Sequence, residues 1–154
     1  MDKAQRVYLV IMDDTEESRR ALRFAARRSV RTGGTVHILA LVPRPDFVVF
    51  AGIQATIEAE ARERAEDLVT AAAGSLANES GLTPVISVRD GDGPQVVRAY
   101  LTEHPEVSAL VLGAAAEGSP GPLISFFAGH AGSLPCVLMI VPGTVDEEGI
   151  DAFS

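Results

Sequence analysis

The chain is poor in the residues that staple, anchor or charge a protein surface positively. Cys136 is the one cysteine among 154 residues, which excludes an intramolecular disulfide framework and a cysteine-rich zinc site. Tryptophan is absent and aromatic residues make up 5%, so the core has to come from Ala, Val, Leu and Ile. No apolar run approaches the ~18 to 20 residues that cross a bilayer. The opening Met1-Asp2-Lys3-Ala4-Gln5-Arg6 leads into only six apolar residues before Asp13, which does not read as a signal peptide. Basic residues are few, 13 Lys and Arg against 21 Asp and Glu, giving a formal charge of -8 and a pI of about 4.8. That balance argues against a nucleic-acid or anionic-membrane partner. The expectation left standing is one cytoplasmic domain, and a chain of this length buries roughly 70% of its unfolded surface without staples.

What is present is an alternation of short β-branched runs and alanine-rich amphipathic runs. Val7-Tyr8-Leu9-Val10-Ile11-Met12 is a continuous apolar run stopped by Asp13-Asp14, the mark of a strand buried on both faces. Thr15 is placed to cap a helix from about Glu16 to Arg31, with Ala21, Leu22, Ala25, Ser29 and Val30 as its inner face and Gly33-Gly34 as its stop. Thr35 to Val42 reads as a second buried strand, followed by a loop with the unusually apolar Phe47, Val48, Val49 and Phe50. A long helix from about Ile53 to Asn78, a strand Pro84 to Arg89, and a helix entered through Asp90-Gly91-Asp92-Gly93-Pro94 and stopped before Pro105 come next. Val107 to Leu112 is a fourth strand, Gly113 to Pro122 a small-residue loop, Leu123 to about Ser133 a short helix, and Val137 to Val141 a fifth strand.

This order predicts a three-layer α/β fold with a five-stranded parallel sheet and helices on both faces. Right-handed crossovers leave few strand orders, of which 3-2-1-4-5 is the common one. The domain spans residues 1–142, and residues 143–154 read as an acidic C-terminal tail. In that order the direction of winding reverses between the first and fourth strands. A ligand is therefore expected at their carboxyl ends, at Met12-Asp13-Asp14 and Gly113-Ala114-Ala115-Ala116.

At these residues the chain resembles the universal stress protein family over about residues 6 to 142. The first strand running into Asp13 and then Asp14-Thr15-Glu16-Glu17-Ser18 is similar to the family's opening Val-Asp-Gly-Ser segment. Gly91-Asp92 resembles its Gly-Asp turn, and Leu110-Val111-Leu112-Gly113, Gly129 and Leu134 to Pro142 resemble its closing third. The resemblance implies a cytoplasmic, non-catalytic stress-response protein, paired as a homodimer through the last strand, Val137 to Val141. Many members bind ATP through Gly-x2-Gly-x9-Gly-Ser/Thr after the fourth strand, while others lack the motif and bind none. Gly113 matches its first glycine and Gly129 its third, but Ala116 replaces the second. Gly113 and Gly129 are 16 positions apart instead of 13, as if the loop carried about three extra residues, and His130 stands where Ser or Thr would.

The chemistry a phosphate needs is a set of converging N–H groups, best at a helix start. Gly118, Ser119 and Gly121 before Pro122 and Leu123 supply close approach and a hydroxyl, and His130 supplies a ring donor. Against this, Pro120 and Pro122 remove amide donors, the segment has no Lys or Arg, and Glu117 is an anion in the wrong place. Asp13 can accept from an adenine amino group or a ribose hydroxyl; equally, it can end a strand and precede a helix. Val42 lies where the resemblance implies a backbone contact to adenine. The cofactor-binding set is therefore Asp13, Val42, Gly113, Gly118, Ser119, Gly121, Gly129 and His130, for ATP or AMP with magnesium, or for no cofactor at all in a protein-interaction module of the same fold. The histidines His37, His104 and His130 show no metal-ligand spacing, and His37 reads as structural. No Gly-x-Ser-x-Gly elbow, Walker loop or dinucleotide fingerprint appears, so nothing argues for turnover.

Two surfaces remain. Arg19, Arg23, Arg27 and Arg31 are spaced by four and form one stripe on the first helix. No aromatic residues interleave with it as a single-strand platform needs, and Glu58, Glu60, Glu63, Glu66 and Asp67 of the second helix are placed to neutralise it. The last strand has five apolar residues and none of the charges that protect a sheet edge, which favours self-association there.

Overall fold

A computed structural model describes residues 5–42 and 51–154. Phe47, Val48, Val49 and Phe50 lie outside the described residues. The elements are β1 (Val7–Met12), α1 (Glu16–Thr32), β2 (Thr35–Val42), α2 (Ala51–Ser80), β3 (Val85–Asp90), α3 (Gly93–Glu103), β4 (Ala109–Ala114), α4 (Pro122–Gly129), β5 (Val137–Pro142) and α5 (Glu147–Phe153), with a 3-10 turn at Ala131–Ser133. The sheet is parallel in the order β3-β2-β1-β4-β5, as the run of strands and crossovers predicts.

The period-2 alternation of buried strands sends neighbouring residues to opposite layers. Tyr8, Val10 and Met12 of β1, with Val36, Ile38 and Ala40 of β2, pack under α1 and α2 on Ala21, Ala25, Val69, Ala72 and Leu76. Val7, Leu9 and Ile11, with Leu39, Leu110 and Leu112, face α3 and α4 and meet Val97, Tyr100, Leu101, Ile124 and Phe127. Small residues on α1 let it lie close to the sheet, and the closest approach is at Gly113. A Cβ there would stand 2.1 Å from the Glu17 carbonyl oxygen.

Thr15 caps α1, its hydroxyl accepting from the Ser18 N–H at 3.2 Å, a contribution of about 1 kcal/mol. Asp92 does the same for α3 through the Gln95 N–H at 3.3 Å. The inner face of α1 differs from expectation at one place: Val30 is exposed and Ala26 is buried in its stead. Both sheet edges carry exposed apolar side chains, Val85 and Ile86 on β3 and Val137 and Ile140 on β5. Among the described residues no helix is long and apolar enough to cross a membrane.

The acidic segment after Gly143 is not a free tail. Asp146 caps α5 through the Gly149 N–H at 2.8 Å, and Ile150, 1% exposed, joins the core on the α1 side of the sheet. Among the described residues the hydrogen-bonded and ion-paired partners of Arg23, Arg27 and Arg31 lie here, and Glu79 of α2 adds a longer-range attraction to Arg23. Arg23 makes a bidentate pair with Asp151 at 2.9 and 3.0 Å, and Arg27 reaches the same carboxylate at 3.3 Å. Arg31 donates to the Asp151 and Ser154 carbonyls, while Arg19 turns to Asp14. The beside-lying guanidinium of Arg23 holds the Asp151 carboxyl below its ordinary range. The correction has a simple cause: a stripe read from one helix does not say which neighbouring element crosses it, and the expected tail was itself the counter-charge.

Candidate functional site

The reversal of winding lies between β1 and β4, and among the described residues hollows lie on two sides of Asp13, beside the carboxyl end of β1. The first, about 590 Å³, lies toward α2. Met12, Leu41, Ala61, Ala65 and Leu68 give it apolar walls, and Asp13, Asp14, Arg64 and Asp67 lie around them. The second, about 100 Å³, lies toward β4 and is lined by Ile11, Asp13, Thr15, Ser18, Gly113, Pro120, Gly121 and Leu123 among others. The second is the smaller of the two and is narrowed by Pro120 and Pro122.

Asp13 stands on the partition between the two. Its Oδ1 accepts from the Thr15 N–H at 2.9 Å and from the Thr15 hydroxyl. The Ser18 hydroxyl donates to the Asp13 carbonyl at 2.9 Å. Both contacts fix the start of α1, so the strand-ending role of Asp13 is real, and its exposed carboxylate still borders both hollows.

The loop from β4 to α4 closes the smaller hollow with its own atoms. The Ala115 N–H donates to the Pro120 carbonyl at 3.3 Å, which draws the two prolines over the strand end. Gly121, at φ +116°, adopts a backbone that L side chains resist, and so delivers Pro122 into the first turn of α4. Gly118 and Ser119 are exposed at the tip of this loop.

Gly129 and His130 are not brought to the site. α4 begins at Pro122, so Gly129 is its last residue and His130 its C-cap, about 12 Å along the axis from its start. The His130 ring lies flat on Phe126 at 4.2 Å between centroids, and its Nδ1 meets the Phe126 carbonyl at 2.8 Å. The 16-residue span from Gly113 to Gly129 thus contains α4 itself and is no enlarged loop. Val42 ends β2, buried, and its carbonyl accepts from the Gly91 N–H at 3.5 Å; its neighbour Leu41 is the β2 residue in the larger hollow. Gly113 borders the smaller one, where its first duty is the close contact with α1.

Sequence reasoning missed two things. Ala61, Arg64, Ala65 and Leu68 on α2 form one wall of the larger hollow, and their recurrence at three and four residues is the legible signal. His37 and His104, 67 positions apart, stand with ring centroids 5.7 Å from each other, and no linear spacing announces that. Burial, and then the neighbouring His104, push the His37 pKa down. Burial also pushes the Cys136 thiol up, which keeps it protonated and unreactive.

Comparison with known proteins agrees with this architecture. No curated protein matches the chain in sequence. Its fold is similar to that of the universal stress protein UspA from Lactobacillus plantarum, with 18% identity, a TM-score of 0.76, and 91% of this chain and 99% of that one covered. It is similar to a universal stress protein family member from Burkholderia pseudomallei at 14% identity and TM-score 0.73, over 92% and 99% of the two chains. A member from Arabidopsis thaliana solved with AMP bound has 15% identity and TM-score 0.63, over 95% and 99%. The model of the universal stress protein family matches residues 6–142, and the chain belongs to that family.

Proposed function

We propose that this chain is a non-catalytic cytoplasmic stress-response protein that pairs with a second copy through β5 and holds an adenine nucleotide at the carboxyl end of β1. The observation that carries the reading is the 590 Å³ hollow with apolar walls from Met12, Leu41, Ala61, Ala65 and Leu68. A base stacked there has apolar faces against it, and the Asp13 carboxylate at the rim can accept from a ribose hydroxyl or an exocyclic amine. AMP in the Arabidopsis neighbour supports the ligand class. The phosphate side is the atypical part: Gly113, Gly118, Ser119 and Gly121 lie along a loop without Lys or Arg, so the site takes a nucleoside or monophosphate better than ATP. Exposed Val137 and Ile140 on the β5 edge support the pairing.

Calorimetric titration with adenosine, AMP and magnesium ATP tests the reading. Saturable AMP binding, at least as tight as ATP and lost in Ala61→Phe, is expected; no binding at millimolar AMP overturns it. Light scattering should give twice the chain mass, and a monomer at all concentrations refutes the pairing. The β4 side favours a second reading, a dimeric interaction module that binds no nucleotide, because Pro120 and Pro122 bring no amide donor there and the loop carries no Lys or Arg.

A further inference from the structure

Away from these hollows, at the amino ends of the strands, three side chains from two segments far apart in sequence converge, one from β2 and two from the connection between α3 and β4. His37 is the third residue of β2, His104 follows the end of α3, and Glu106 precedes β4. One ligand atom from each lies within 4.8 Å of the other two. From this convergence we propose a binding site for a divalent first-row ion of zinc's class, ligated by His37, His104 and Glu106 with one coordination position open to solvent.

The donor set selects the ion. Two imidazoles and a carboxylate suit zinc and its neighbours, whereas magnesium and calcium take oxygen ligands. Three protein ligands and an open position are the arrangement of an accessible zinc centre and not of a closed structural one. Donors about 2.0 to 2.2 Å from a tetrahedral ion stand roughly 3.4 Å apart. His104 Nδ1 and Glu106 Oε1 are already 2.8 Å apart, and the widest separation closes by a modest side-chain movement. That movement is open to both residues, whose side chains are 31% and 49% exposed. The same exposure gives an ion its way in.

The surroundings hold the buried ligand as a metal site requires. The Tyr100 hydroxyl meets His37 Nδ1 at 2.7 Å, fixing the ring and leaving Nε2 as its free nitrogen. Such an outer partner is the usual companion of a ligating histidine. Tyr100 also stacks on His104 at 4.2 Å, so one buried phenol orients both imidazoles. Arg89, which lies over the Tyr100 ring, is paired with Glu103 at 2.6 Å, which reduces its repulsion of an ion.

The test is titration of chelator-stripped protein with Zn²⁺ against a chromophoric chelator. One equivalent per chain is expected, undisplaced by a hundredfold excess of Mg²⁺, and Co²⁺ in its place should show the visible bands of a four-coordinate nitrogen and oxygen site. Glu106→Gln lies at the surface and His104→Gln keeps a side chain in its half-buried place, so both keep the fold where a change at His37 can disturb the core. Each should weaken zinc by at least about tenfold, and the pair together should abolish stoichiometric binding. Zinc held equally well by the double variant, displacement by Mg²⁺, or no stoichiometric binding by the unaltered chain overturns the site. Because AMP binding is read at the opposite ends of the strands, neither result depends on the other.

Discussion

The two hollows beside Asp13 share the end of β1, yet they differ about sixfold in volume, 590 against 100 Å³. Toward α2 the walls are alanines and leucines that leave space. Toward β4 the chain fills the space with Pro120, Gly121 and Pro122. The difference teaches that, under the proposed function, the apolar seat and the phosphate seat are separate parts of the strand end. Sequence drift can close one while leaving the other open. Gly113 looks like the remnant of the phosphate side, but the geometry gives it another task, and this provides the largest expected effect. Gly113→Ala forces a Cβ to within 2.1 Å of the Glu17 carbonyl, and backbone has to move. A loss of about 3 kcal/mol in urea unfolding is expected. A variant of unchanged stability but weakened AMP binding would return Gly113 to the ligand site.

The next effect belongs to the open side. Ala61→Phe places a ring in the hollow from a half-buried position on α2, and should lower AMP affinity more than tenfold, about 1.4 kcal/mol. Stability should change little, because the side chain enters space that is already empty. If AMP binding survives, the nucleotide is not in the α2-side hollow and the comparison fails.

How legible this was follows from the kind of signal each part carries. The sheet was legible because Val7 to Met12 and Thr35 to Val42 are continuous apolar runs with polar ends, and because parallel crossovers permit few orders. The helix starts at Thr15 and Asp92 were legible because a cap is a local device, with donor and acceptor three residues apart. The reach of α4 was not. Gly129 and His130 were matched to a motif whose spacing they exceed by three positions, but Pro122 sets where the helix starts, and that puts both at its far end. The C-terminal helix was also missed: seven residues with four acids from Asp146 onward look like solvated chain until Ile150 finds its place in the core. Closeness in sequence was readable, and closeness created by the fold, as between His37 and His104 or Arg23 and Asp151, was not.

The smaller hollow leans on the start of α1, and α5 packs against α1. That packing should be sensitive to acid. The carboxyl of Asp151 is held below its ordinary 3.8 by the hydrogen bond from Arg23. What it contributes is therefore complete above that value and is lost as the pH falls through the lower, folded value. The NMR shifts of Ile150 should stay constant from neutral pH down to about 4 and move below it. In Asp151→Asn they should be displaced already at pH 7. Unmoved shifts in that variant would mean that the burial of Ile150 alone seats α5. The effect on the hollows is expected to be slight, since Thr15 and Ser18 fix the start of α1 from within.

The smallest effect is the most discriminating. Pro122→Ala restores one N–H at the start of α4, where the helix leaves its first donors without partners. The cost in stability is about 0.5 kcal/mol, through the freer unfolded chain. If the β4 side is closed by shape, the added donor faces a hollow with no room for a phosphate, and the ratio of ATP to AMP affinity stays within twofold. If only the missing donor keeps phosphates away, the same substitution tightens ATP over AMP, because a charge-assisted hydrogen bond at a helix start favours the anion more the greater its charge. The first outcome makes the loop Gly113 to Gly121 a filled site. The second makes it a phosphate seat lacking one proton donor, and the contrast between the two hollows becomes one of chemistry and not of volume.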